Sequence, residues 1–204
     1  MRLSPSALIV VATVSASFSR LDAFPSADGR RSMQPLDAVP AKPIQGLSIL
    51  VVDGSGEGGD IQLKFADGST YVLSTGGRAQ AAQLAPDGQT FGFNLVAYYV
   101  DTKGDLWIQT KAIVLYRGGK RVAVIEPEKQ ATVGWAFRDG SSSIMVSAQG
   151  THGPIYLGLY DVATGKKKAE AFEFDEGPKP KWTQGAPLLY CCTVKPTVAP
   201  YTQK

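Results

Sequence analysis

The sequence predicts an all-β protein built from antiparallel, four-stranded, blade-like sheets. Three observations carry that expectation. Apolar and polar residues alternate over short runs rich in Val, Ile, Tyr, Phe and Thr, the pattern of half-buried strands. Glycine and proline are abundant, 22 and 13 of 204 residues, and they gather between those runs. No stretch of the body repeats apolar residues at the spacing of an amphipathic helix.

The first segment is of another kind. Residues 1–19, MRLSPSALIVVATVSASFS, carry one charge at Arg2 and an uncharged run from Ala7 to Ala16. Small residues follow, so the segment reads as a secretory signal peptide. Its apolar run falls short of the ~20 residues of a spanning helix, and no cysteine follows to accept a bacterial lipid anchor. Residues 20–43 mix Pro, Ser, Ala and single charges without a period, and read as a flexible linker. The domain is expected over 44–193, with a disordered tail over 194–204.

Within the domain, strands are expected at 48–52, 60–65, 70–74, 80–84, 90–95, 106–110, 113–116, 121–125, 132–137, 143–147, 155–161, 168–174 and 188–192. The run at 80–84 is rich in Ala and also suits a helical turn. Asp67-Gly68, Asp87-Gly88, Gly118-Gly119, Asp139-Gly140 and Thr164-Gly165 lie between strands and supply the positive φ that tight hairpins need. Trp135 and the alternating Phe91, Phe93, Ile144 and Val146 are expected in the sheet packing.

The turns recur. LAPDGQTFGFNLV, GDLWIQT and IVLYRGGKRVAVI form one unit; WAFRDGSSSIMVS and GPIYLGLYDVATGKKKAEA form a second. In each, Asp-Gly opens a strand, an aromatic-bearing strand follows, and a Gly-Lys turn precedes the last strand. Asp87 and Asp139 are 52 residues apart, Tyr116 and Tyr160 are 44 apart. IQLKFADGSTYVLS resembles the closing hairpin of an earlier unit, and KWTQGAPLLYCC the start of a later one. Four short strands repeated near 45 residues are the signature of a propeller blade.

The motif APDGQTFGF resembles the "SPDG" blade motif of TolB-type and WD-repeat-like β-propellers, with Ala85 where Ser is commoner. Residues 159–166, LYDVATGK, resemble the "YDVATG" hairpin of the same group, and Val114 to Gly185 is similar to exported bacterial proteins that carry such blades. The Trp-Asp dipeptide of the WD family is absent. The resemblance implies a partial or small propeller. Two full units with fragments fall below the roughly four blades of a closed ring, so a β-sandwich-like stack is the alternative. A compact monomer or a partner-completed assembly is expected in preference to a homo-oligomer.

Chemistry-bearing patterns are few. A net charge of +3 makes no case for nucleic acid or an anionic membrane. Two Cys and one His are too few for a Cys/His zinc site or a ready Cys–His nucleophile pair. No GxSxG occurs, and the glycine run from Asp53 to Asp60 has neither EF-hand spacing nor a following Lys-Ser or Lys-Thr. No catalytic residue, cofactor or metal is therefore assigned. Lys166, Lys167 and Lys168 read as a solvated strand end, and Cys191 and Cys192 as one buried and one exposed thiol. Trp107, Trp135 and Trp182 stand in strand-like sequence and are expected in the core. Tyr98 and Tyr99 adjoin a polar turn, so one of them should face solvent. His152 lies in the turn-rich Gly150-Thr151-His152-Gly153-Pro154. Tyr98, Tyr99 and His152 are the candidate partner-binding residues. The expected role is an exported, non-enzymatic binding or scaffold module acting on a protein or cell-envelope component. The alternatives are an accessory domain of a hydrolase or a fragment without independent activity.

Overall fold

The computed structural model describes residues 38–51, 58–100, 102–103, 106–127, 132–150, 153–173 and 177–185. They form an all-β body. Its strands are β1 (Ile44–Val51), β2 (Gly59–Phe65), β3 (Thr70–Leu73), β4 (Ala79–Leu84), β5 (Thr90–Val100), β6 (Leu106–Arg117), β7 (Lys120–Ile125), β8 (Thr132–Arg138), β9 (Ser143–Gln149), β10 (Tyr156–Asp161) and β11 (Lys167–Phe172). Single 3-10 turns occur at Asp139–Ser141 and Lys181–Thr183. Among the described residues no helix is long and apolar enough to cross a membrane.

All strand pairings are antiparallel. β8 to β11 form a four-stranded meander. The other seven strands are one sheet by hydrogen bonding, in the order β1-β2-β4-β5-β6-β7 with β3 on the far side of β2. One residue pair, Gly59 with Ala79, joins its two parts. That narrow link lets β1–β3 fold over the β4–β7 meander.

Alternation then builds two cores. Phe91, Phe93 and Leu95 of β5 with Val114 and Tyr116 of β6 are buried against Ile61, Leu63 and Phe65 of β2. Phe91 and Tyr116, register partners, stack with centroids 4.9 Å apart. The opposite parity of β6, Ile113 and Leu115, joins Ala123 and Ile125 of β7 against Val133, Trp135, Ile144 and Val146 of the β8–β11 sheet. The β4–β7 meander is thus packed on both faces.

The two meanders correspond strand for strand. Asp87-Gly88 and Asp139-Gly140 each join the first strand to the second, and Gly118-Gly119 and Gly165-Lys166 each lie between the third and fourth. Blade-like four-stranded sheets are what the sequence repeat encodes. The expected core residues Phe91, Phe93, Trp135, Ile144 and Val146 are all buried.

Several details depart from the sequence expectation. The separate strands at 106–110 and 113–116 are one strand, β6, because a bulge carries the pairing through: Leu95 faces Ala112 but Val96 faces Thr110, leaving Lys111 unopposed. The Ala-rich run at 80–84 is a strand, as expected. It absorbs a second bulge between Gln80 and Gln83, with Ala81 at φ +47°. Residues 38–43, expected in the linker, strap two turns: Val39 is seated in the first core and donates its amide to Gly119, and the Pro43 carbonyl accepts from the Ala66 amide. The strand expected at 188–192, with Cys191 and Cys192, lies outside the described residues.

Candidate functional site

β5 and β6 outrun their neighbours. β4 stops pairing with β5 at Leu95, and β7 stops pairing with β6 at Ile113. Beyond them, Val96–Val100 and Leu106–Thr110 pair with each other as a two-stranded ribbon. On it Tyr99 lies directly opposite Trp107, and Ala97 opposite Gln109. Direct cross-strand partners share a face, with Cβ atoms about 4.5–5.5 Å apart. Tyr99 is 42% exposed and Trp107 49%. The bulged Lys111 brings its ammonium to 5.0 Å from the centre of the Tyr99 ring, a cation–π contact. It also donates to Gln109 Oε1 at 3.3 Å.

A second layer of contacts holds the ribbon. Tyr98, 36% exposed, donates its hydroxyl to the Gly77 carbonyl at 3.1 Å. A Cβ at Gly58 would lie 2.5 Å from that hydroxyl oxygen, so the approach depends on glycine. The Gly77 loop is fixed from β2. The buried Asp60 carboxylate accepts from the amides of Thr75 (2.7 Å) and Gly77 (3.1 Å) and from the Ser74 hydroxyl (3.3 Å). Val96 also donates its amide to Arg78 in this loop. From sequence Asp60 is only the acidic end of a glycine-rich connector; in the fold it positions the loop on which Tyr98 rests.

The structure therefore brings Tyr98 and Tyr99 to one ribbon, exposes part of both, and adds Trp107, Gln109 and Lys111. Trp107 is a correction: expected in the core, it lies half exposed at the ribbon's outer end. Strand-like sequence alone points it to a core, but the extra residue at Lys111 turns it to the side of Tyr99 on a ribbon that neither β4 nor β7 covers. Trp135 is buried as expected, and Trp182 is half-buried on the 3-10 turn at Lys181–Thr183. His152 lies outside the described residues.

A shallow cleft of about 230 Å³ lies at the other end of the β4–β7 meander, lined by Pro86, Phe137, Arg138, Asp139, Gly140 and Ser141. Behind it runs a relay from Asp87 through Thr90 to Arg117. The Asp87 carboxylate accepts from the Gln89 and Thr90 amides at 2.9 and 2.8 Å and from the Thr90 hydroxyl at 2.6 Å. Burial pushes the Asp87 carboxyl upward most, but those hydrogen bonds and the Arg117 charge together hold it below its ordinary value. Among the described residues no three His, Cys, Asp or Glu side chains come together as a metal site.

In comparisons with known proteins, the chain matches no family model, no curated protein and no solved structure.

Proposed function

We propose that the protein is an exported, non-enzymatic binding module whose stacked sheets are propeller-type blades and whose contact element is the β5–β6 ribbon. The observation that carries the reading is the exposed Tyr99–Trp107 pair, set on a ribbon beyond the reach of both neighbouring strands. Exposed aromatics on a rigid support give contact area at low entropic cost. The second layer of contacts from Asp60 through the Gly77 loop to Tyr98 supplies that support. The leader sequence and the TolB-like turn motifs are consistent with a role in the cell envelope, and the partner is an envelope component reached by this face.

Site-specific photocrosslinking tests the reading. A benzophenone amino acid replaces Tyr99 in one variant and Gln89, at the opposite end of β5, in another. The variants are expressed in the exported form. The expected result is an adduct at position 99 only, on protein whose N-terminus begins between Ser17 and Asp22. An intact Met1 on cytosolic protein, or equal adducts at both positions, overturns the reading.

A further inference from the structure

We infer that the Tyr99–Trp107 face of the ribbon binds a carboxylate-bearing polysaccharide, an inference that rests on the binding role proposed for that face. The face presents two aromatic rings side by side, Tyr99 and Trp107, each with more than two fifths of its surface open. Its other members are Ala97, Gln109 and Lys111. The described register pairs on this side of the ribbon, Tyr99–Trp107 and Ala97–Gln109, include no Leu, Ile, Val or Met, and Leu95, next on the same side of β5, is buried in the first core. The pair itself is therefore not the continuous apolar patch that a protein partner buries at its centre. Aromatic faces edged by an amide and an ammonium group match a sugar chain instead. The weakly positive C–H face of a pyranose lies on the negative face of an aromatic ring, and its hydroxyls take hydrogen bonds from the flanking polar groups.

Lys111 selects among sugars. Its ammonium contacts the Tyr99 ring and Gln109, and among the described residues it forms no ion pair with a carboxylate. A cation held at the rim of an aromatic platform complements an acidic sugar residue lying on that platform. A uronate carboxylate there gains a charge-assisted hydrogen bond. The bulge at Lys111 is the feature that unites the two halves of the site. It turns Trp107 to the side of Tyr99 and leaves Lys111 unopposed on the strand.

Affinity electrophoresis and titration calorimetry with polygalacturonate, and with the same polymer fully methyl-esterified, provide the test. Wild type is expected to bind the acid form at least tenfold more tightly than the ester. Trp107→Ala and Tyr99→Ala should each lose tenfold or more towards the acid polymer. Lys111→Gln should lose about threefold to tenfold towards the acid form and less towards the ester, so that the preference for the acid shrinks. Thermal melts of each variant establish that the fold is retained. Equal binding of acid and ester overturns the carboxylate assignment. Undiminished binding by the Trp107 and Tyr99 variants overturns the site. Absence of binding to both polymers overturns the glycan inference, and a protein adduct at position 99 would then leave the binding role standing by itself.

Discussion

Arg117, the last residue of β6, donates through Nη2 to the backbone carbonyl of Ser141 in the turn between β8 and β9. The same guanidinium donates from Nε to the Thr90 hydroxyl at 2.9 Å, and that hydroxyl donates to Asp87. One planar fork thus ties the first turn of one meander to the first turn of the next. The acceptor turn needs a tie, because Asp139, Gly140 and Ser141 all have positive φ, at 51°, 60° and 82°. Two of the three are not glycine, and such backbone persists where its surroundings fix it.

Lysine at position 117 keeps the charge but lacks the two-pronged geometry. Arg117→Lys should lower stability by about 1–2 kcal/mol through the lost charge-assisted bonds. Urea unfolding monitored by tryptophan fluorescence reads this. An unchanged midpoint would show that the turn holds without the tie.

Asp87 should make a pH-dependent contribution. Its folded-state pKa is depressed by the Thr90 and Gln89 donors and Arg117, against the opposing effect of burial. A depressed carboxyl stabilises the fold fully above the unfolded value of about 3.9. The contribution is lost as pH falls below that value and through the lower folded-state pKa. Asp87→Ala should therefore melt roughly 2–4 °C below wild type at pH 7, a modest shift because the carboxylate is solvent-screened. The gap should shrink as pH falls below about 3.9 and through the lower folded-state pKa. Asp67, Asp161 and Glu170 are also depressed, so wild type itself loses stability in acid. The difference between the two proteins isolates Asp87.

What was legible in the sequence followed from local chemistry. Asp-Gly and Gly-Lys turns fix where strands end, and the alternation of Phe91, Phe93, Ile144 and Val146 fixes which residues are buried. The bulges at Lys111 and between Gln80 and Gln83 were not legible, because no residue type demands them there. Each moves the strand beyond it by one position and so exchanges its faces. Tyr98 and Tyr99 could be picked out together because they adjoin a polar turn, and the structure exposes part of both, whereas strand-like sequence around Trp107 gives no sign that the bulge sets it beside Tyr99. Asp60 escaped for a related reason: its ligands at 74–77 are 14 to 17 positions away and are brought to it only by the β2–β3 hairpin and the loop after it.

The tryptophans give a direct contrast. Trp135 is buried between the two meanders and packs edge-on against Phe137 with centroids 5.2 Å apart. Trp135→Ala should cost about 3–5 kcal/mol, the usual loss for a large aromatic in a core. Trp107→Ala should change stability by less than about 1 kcal/mol, because half of its surface is already hydrated. Acrylamide quenching should fall most in the Trp107 variant, which removes the most open indole. A large destabilisation by Trp107→Ala would instead give the ribbon a structural role.

Gly92 shows how closely the meanders meet. It pairs with Gln83 on one side and Leu115 on the other. A Cβ there would lie 2.6 Å from Leu115 Cδ2, 2.9 Å from the Val114 carbonyl oxygen and 3.0 Å from Trp135 Cη2. The Leu115 methyl can yield by a rotamer change, but the carbonyl belongs to the paired strand. The indole is fixed in the second core, and Gln83 Nε2 holds the Trp135 carbonyl at 2.6 Å. Gly92→Ala should therefore cost about 1–3 kcal/mol through overpacking, despite the gain from a stiffer unfolded chain. Gly46 in β1 is the matched control. A Cβ there meets only Lys64 Cβ, at an ordinary 3.7 Å, and Gly46→Ala should stabilise by about 0.4–1 kcal/mol. Chemical denaturation of both variants in one buffer checks the pair. Equal and small effects would mean that the two meanders do not pack at the separation described, because Gly92 is where that separation leaves no room for a methyl group.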